Sequence, residues 1–254
     1  KLTGLLDIIT LNLDKLEAPG HRLTLLGQTG VVYSSKTNLY VAEWHWWWGG
    51  WAQGQQDAAY IHKFDITDPD KTIYKASGPI AGHIQNQFAL DEQDEKLRVA
   101  HTVQTWIDDP QADDWWIGTS ELNSRVSVLG EEAGALKVVG KTPDFGKGET
   151  LQSARFVGNK GFVVTFRQVD PLFTFDLTDA TNPKLIGELT IPGFSTYIHP
   201  LDENHLLTIG VFVPPPDNNG ATNWFERRQQ LSIFDVSDLA KPIRAGVIVE
   251  ADII

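Results

Sequence analysis

Short apolar runs separated by turn residues dominate this chain, and almost no segment shows the 3.6-residue period of an amphipathic helix. Four segments share one form, in which a turn rich in Asn, Asp, Glu or Lys leads into an apolar run. They are SSKTNLYVA (34–42), DEQDEKLRVA (91–100), VGNKGFVVT (157–165) and LDENHLLTI (201–209). Such runs, bounded by turn residues, predict β-strands joined by tight turns.

A second repeated element follows each of these segments. Its core is Phe-Asp-aliphatic-Thr/Ser-Asp. The copies are YIHKFDITDPDK (60–71), LFTFDLTDATNPK (172–184), LSIFDVSDLAKP (231–242) and a weaker SRVSVLGEEAG (124–134). We expect the aromatic ring to face a neighbouring sheet. We expect the Asp and Thr or Ser side chains to accept backbone N–H bonds in the turn that follows, so these acids are interpreted as turn residues.

Together the two elements define a repeating unit of four strands, here called A to D. Strand A precedes the Asn/Asp turn, B follows it, C carries Phe-Asp and D follows the next turn. The predicted units span about 31–80, 84–142, 151–192 and 196–250, and residues 5–27 look like strands C and D of an earlier unit. Four-stranded repeats of this length are typical of the blades of a β-propeller.

The predicted fold is therefore all-β, a single β-propeller domain over residues 1–254 with four full blades and one half blade. A propeller ring must close to protect its strand edges. We therefore expect further blades in a longer protein, or an unusual closure of the terminal half blade.

Four stretches carry a resemblance to a known family. The segment ARFVGNKGFVVTFRQVDPLFTFDLTDATNPKLIGELTIPGFSTYIHPLDENHLLTIG (154–210) resembles secreted bacterial and archaeal proteins that carry a C-terminal β-propeller domain, distant relatives of WD-type propellers. The stretches NLYVAEWHWWW, YIHKFDITDP and LSIFDVSDLAKP resemble the same family. The resemblance implies a secreted, periplasmic or cell-surface location and a longer parent protein. It implies no reaction and no catalytic residues.

All nine tryptophans fall in the predicted B–C connections, on the same face as the D–A connections. They are Trp44, Trp46, Trp47, Trp48, Trp51, Trp106, Trp115, Trp116 and Trp224. A soluble protein rarely leaves a large aromatic patch in contact with solvent, so we expect most of these indoles to be covered. Three interpretations stay open: a structural cap made by the indoles themselves, a protein or subunit interface, and a platform on which a sugar stacks.

The sequence thus predicts a non-catalytic binding or interaction module outside the cytoplasm, with a protein or a glycan at the Trp-bearing face. The alternative is a lectin or a carbohydrate-active enzyme with its site at the channel mouth. Arg167 lies in a short B–C link, and two interpretations of it stay open: it pairs with Asp170 or caps backbone carbonyls, or it is the polar anchor for an anionic or hydroxylated ligand beneath the Trp loops. In the second case His199 is a ligand-binding companion. His83, Gln85 and Tyr197 are further companions at the inner strands.

Composition narrows the classes of partner and chemistry. The net charge of −12 disfavours binding to nucleic acid and to anionic membranes, and no apolar run approaches the roughly 20 residues of a spanning helix. The chain lacks cysteine, a Gly-x-Ser-x-Gly elbow, a phosphate loop and a His-Glu-x-x-His motif. It begins at Lys1 and lacks methionine, so we expect a processed chain or a fragment.

Two acidic clusters, DEQDE (91–95) and DDPQADD (108–114), raise the question of a metal, and the second is the better candidate. DDPQADD (108–114) lies on the tryptophan face and makes calcium a candidate cofactor, with the ligands Asp108, Asp109, Asp113 and Asp114. Solvated loop charge is the alternative, because the alternating Asp-x-Asp-x-Asp-Gly pattern is absent. The stretch HPLDENH (199–205) fits either a divalent-ion site or an ordinary A–B turn.

Overall fold

The computed structural model describes residues 4–28, 30–45, 56–109, 118–166, 170–214 and 224–250. In these ranges the chain is built of β-strands, with two short 3₁₀ helices at Gln87–Ala89 and Trp224–Glu226 and no α-helix. None of the helical segments in the described ranges is long and apolar enough to cross a membrane.

The strands fall into one hairpin and four groups of four. The hairpin is formed by β1 (Leu5–Thr10) and β2 (His21–Leu26). The first group comprises β3 (Val31–Ser34), β4 (Asn38–His45), β5 (Ala58–Asp65) and β6 (Ile73–Ala81). The second comprises β7 (Leu90–Gln93), β8 (Lys96–Asp108), β9 (Gly118–Glu132) and β10 (Ala135–Lys141). The third comprises β11 (Thr150–Val157), β12 (Lys160–Phe166), β13 (Asp170–Asp176) and β14 (Lys184–Ile191). The fourth comprises β15 (Phe194–Pro200), β16 (His205–Phe212), β17 (Arg228–Asp235) and β18 (Ile243–Val249).

Within each group, consecutive strands pair antiparallel. This pairing places the A–B and C–D turns at one edge of each sheet and the B–C and D–A connections at the opposite edge. Buried apolar side chains form one cluster that joins the first three groups and a second that joins the third and fourth. Neighbouring groups therefore share a buried apolar core, as the blades of a propeller do.

The Phe-Asp turns form as predicted. Phe64, Phe175 and Phe234 are at most 1 % exposed. The following carboxylates accept backbone N–H bonds two residues on, from Thr67, Thr178 and Ser237, each at 2.9 Å. A second Asp three residues later repeats the same bond in all three turns. The Thr67 hydroxyl, by contrast, donates to Asp65 at 2.6 Å instead of accepting a backbone N–H.

The first two groups are not independent sheets. Ser77 of β6 and Ala135 of β10 form a parallel bridge, so the eight strands β3 to β10 make one sheet. The close approach of β6 to β10 requires glycine at position 78, because a Cβ on Gly78 would lie 2.0 Å from the Leu136 carbonyl oxygen. The two predicted blades are thus joined through their outermost strands, a link that strand periodicity does not reveal.

Candidate binding site at the B–C edge

The B–C edge of the first group presents an indole whose orientation is fixed by neighbours. Trp44 lies on β4 opposite Ala59, and its side chain is 51 % exposed. The indole N–H donates to Asp57 Oδ2 at 3.2 Å. The His83 ring meets the indole edge-on, with 6.3 Å between ring centroids. A half-exposed indole held in one orientation can stack on a partner with little loss of side-chain entropy.

Asp57 is the polar centre of this arrangement. Its side chain is only 10 % exposed. Besides the Trp44 indole, the carboxylate accepts the backbone N–H of Gln104 at 3.2 Å, and Oδ2 lies 3.5 Å from His83 Nδ1. Asp57 therefore connects the first group to β8 of the second. Sequence reasoning missed this residue, since an acid before a predicted strand gives no signal beyond ordinary loop polarity.

His83 is placed by the D–A connection between the first two groups. Its backbone N–H donates to the Thr102 carbonyl at 2.8 Å, and the Thr102 N–H donates back at 3.1 Å. The preceding residue, Gly82, has φ +84°, and a Cβ there would lie 2.0 Å from the Thr102 carbonyl oxygen. Only glycine fits where the chain passes the Thr102 backbone, and Gly82 therefore allows His83 to lie beside Trp44 and Asp57.

Two further tryptophans fall in the described ranges. Trp106 lies on β8 opposite Ser120, is half-buried and donates its indole N–H to Asp108 Oδ1 at 2.7 Å. Its ring covers Gly118 on β9, where a Cβ would lie 2.7 Å from the indole. Trp224 begins the second 3₁₀ helix.

The placement of all nine tryptophans in connections is therefore wrong for Trp44 and Trp106, which lie on strands that extend beyond their predicted ends. Antiparallel pairing continues through both residues, so each tryptophan lies on the backbone of a β-strand and not in a loop. The remaining predicted site residues lie outside the described ranges: Trp46, Trp47, Trp48, Trp51, Trp115, Trp116, Arg167, Asp113 and Asp114.

The structure places His199 at the end of β15 that lies away from the B–C edge. His199 pairs with Leu207 near the A–B turn of the fourth group, whereas Phe194 and Val211 mark the B–C end of the same strand pair. Its ring stacks on Tyr197 with centroids 6.4 Å apart. The predicted grouping of His199 with the B–C face is thus wrong, because β15 runs away from that face.

The described residues that were predicted as metal ligands lie in different local environments. Asp108 accepts the Trp106 indole N–H, and Asp109 is exposed. The HPLDENH stretch forms an A–B turn in which Asp202 Oδ1 accepts the backbone N–H groups of Asn204 at 2.7 Å and His205 at 2.8 Å. Across the described ranges, no three His, Asp or Glu side chains are grouped closely enough to hold a metal ion. Calcium binding by the 108–114 loop stays a prediction.

Comparison with known families gives a match along almost the entire sequence. The family described as "Beta propeller domain" matches residues 2–252. The chain belongs to the β-propeller domain family. The antiparallel groups of four strands and the buried cores that neighbouring groups share agree with this membership.

Two archaeal relatives of this propeller domain are proteins of uncharacterized function. One, from Methanocaldococcus jannaschii, is 38 % identical over 167 residues, which cover 65 % of this chain and 23 % of that protein. Another, from Archaeoglobus fulgidus, is 41 % identical over 163 residues, which cover 64 % of this chain and 21 % of that protein. The aligned segments thus span less than a quarter of the length of these relatives.

Among solved structures, the propeller domain is similar to a Glu150Asp mutant of the Synechocystis apocarotenoid oxygenase. The TM-score is 0.50 at 10 % identity, covering 98 % of this chain and 56 % of that one. A likeness at this identity shows the fold alone.

Proposed function

We propose that this β-propeller domain is a non-catalytic binding module that works outside the cytoplasm and makes its contacts through the indole-bearing B–C edge. The observation that carries the proposal is Trp44, which is 51 % exposed although its indole is oriented by Asp57 and His83. An indole buried as a structural cap would not keep half of its surface in solvent. Rigid, exposed aromatic residues are the usual anchors of recognition surfaces.

A protein partner is the first candidate. The test is affinity capture from a cell-surface fraction of the source organism, with wild-type protein, Trp44→Ala and Ile243→Ala compared side by side. Ile243 is a suitable control because it is 55 % exposed and lies at the opposite edge of its sheet. We expect one partner to be retained at least tenfold less by Trp44→Ala and equally by Ile243→Ala. Equal retention by all three proteins would refute a role for this edge.

A carbohydrate is the second candidate, favoured by the carboxylate of Asp57 at the polar edge of the exposed Trp44 indole. Sugars stack their C–H faces on indoles and hydrogen-bond to nearby carboxylates and amides. The test is a glycan array followed by titration of tryptophan fluorescence with each positive glycan. An array without binders removes this candidate and leaves the protein-binding proposal intact.

A further inference from the structure

A second candidate site lies among the first strands of the groups, apart from the B–C edge. Arg155 on β11 donates its Nε–H to the Ile198 carbonyl of β15 at 2.9 Å. Its guanidinium carbon lies 4.4 Å from the centroid of the Phe88 ring and 5.4 Å from that of Tyr197. The two rings meet edge-on at 5.3 Å. Three successive groups therefore contribute to one cation–aromatic cluster.

The contacts of Arg155 leave specific donors unused. A guanidinium has five N–H donors in one plane. The rings of Phe88 and Tyr197 lie within cation–π range, and the Ile198 carbonyl takes the Nε–H. Within the described ranges, the Nη1 and Nη2 groups of Arg155 have neither a hydrogen-bonding acceptor nor a carboxylate partner.

A neighbouring arginine shows the opposite situation. Arg98 on β8 is 5 % exposed; its Nε and Nη2 both contact Asp91, and its Nη1 donates to the Gly158 carbonyl. Each of the three guanidinium nitrogens of Arg98 therefore has an acceptor, and the side chain joins β7, β8 and the A–B turn of the third group. It also neutralises Asp91, the acid that lines the cavity adjoining Arg155 in the described part of the chain.

That cavity has a volume of about 280 Å³. Arg155 lines it together with the apolar side chains of Val32, Phe88 and Phe156 and the amide of Gln87. This volume lies close to the lower end of the range of small-molecule pockets, so it suits a small ligand. Apolar walls beside one cation with free in-plane donors fit a ligand with a charged end and an apolar end.

We propose that this cavity binds a small organic carboxylate, with the carboxylate on the Nη1 and Nη2 groups of Arg155 and the apolar part against Val32 and Phe156. The planar fork of two parallel N–H donors matches the two oxygens of a carboxylate. The ring contacts fix the plane of the fork before the ligand arrives, which reduces the entropy lost on binding. The proposal stands independently of the B–C edge.

The test is calorimetric titration of the folded protein with butyrate, its neutral analogue butyramide, and inorganic phosphate. We expect butyrate to bind and butyramide to bind at least tenfold more weakly. Phosphate can also pair with the guanidinium, but it has no apolar part to contact Val32 and Phe156, so we expect it to bind at least tenfold more weakly than butyrate. Arg155→Lys, which keeps the charge but loses the planar fork, should weaken butyrate binding at least tenfold. Arg228→Lys is the matched control, because Arg228 also lies over an aromatic ring, that of Phe212 at 5.3 Å.

The proposal is overturned if butyrate does not bind, if butyramide binds equally well, if phosphate alone binds, or if Arg155→Lys binds like the wild type. A direct observation on the wild type covers the case in which Arg155→Lys fails to fold. Butyrate should shift the side-chain ¹⁵N resonances of one arginine, and unshifted arginine resonances would equally overturn the assignment.

Discussion

The Trp44 indole N–H donates to the Asp57 carboxylate at 3.2 Å, across the connection that separates β4 from β5. Asp57 also accepts the backbone N–H of Gln104 from the neighbouring group. One largely buried carboxylate thus orients the exposed indole and ties two groups of strands together. Recognition at this edge and local stability are therefore coupled through Asp57.

Replacing Asp57 should affect both properties. Asp57→Ala leaves the Gln104 N–H and the Trp44 indole N–H without their acceptor, which we expect to lower the free energy of unfolding by about 1–3 kcal/mol. Urea unfolding measures the loss, and the fluorescence maximum of the folded protein should change. Glu188→Ala, which removes an exposed carboxylate of β14, should leave both unchanged. A stable Asp57→Ala protein with unaltered fluorescence would contradict the role given to this carboxylate.

Gly82 should be intolerant of any side chain. Its φ is +84°, and a methyl group at this position would lie 2.0 Å from the Thr102 carbonyl oxygen. Gly82→Ala should therefore lower the free energy of unfolding by about 2 kcal/mol or more. Gly246→Ala is the control, because a Cβ there meets nothing within 4 Å. Chemical denaturation of both variants measures the difference. Equal stability of the two would show that the backbone around Gly82 and Thr102 can shift to accommodate a methyl group.

Stability should fall in mild acid because of His101. The ring is buried, with Nε2 2.9 Å from Ser127 Oγ, and burial lowers the pKa of His101 to about 4. In the unfolded chain the imidazole takes up a proton near pH 6.5, whereas the folded protein resists protonation until about pH 4. The contribution of His101 is therefore full above pH 6.5 and is lost as the pH falls from 6.5 towards 4, a total of roughly 3 kcal/mol.

The measurement is the free energy of unfolding in urea at several pH values between about 7 and 4.5, which brackets most of this interval. Wild type and His101→Gln are compared, because glutamine keeps a polar group near Ser127 but does not titrate. The wild type should lose stability more steeply than the variant as the pH falls. Parallel curves would contradict the assignment to His101.

The repeated Asp turns should contribute to stability individually. In the third group, Asp176 accepts the Thr178 N–H at 2.9 Å, and hydrogen bonds from Thr178 hold the pKa of this carboxyl below its usual value. Asp176→Ala should lower the free energy of unfolding by about 1 kcal/mol, whereas Asp176→Asn, which keeps an acceptor, should lower it less. Thermal unfolding of the two variants distinguishes them, and identical losses would show that the side-chain acceptor is irrelevant.

Much of the architecture was predictable from the sequence because it depends on local chemistry. Apolar runs bounded by turn residues place the strands, and the Phe-Asp-aliphatic-Thr/Ser-Asp element places the C–D turns. These features involve residues close together in the chain. The ends of β4 and β8 were predicted too early, because cross-strand pairing extends strands through Trp44 and Trp106 beyond the point where turn composition begins.

The sequence by itself therefore determined the all-β class, the order of strands within each group and the positions of the turns. Only the tertiary structure decided which distant side chains meet: Asp57 with Trp44 and Gln104, and Arg155 with Phe88 and Tyr197. It also decided that β6 bridges to β10 and that His199 lies away from the B–C edge. Local patterns fix hydrogen bonding along and between adjacent strands, whereas contacts between groups depend on how the sheets pack, which no short sequence pattern encodes.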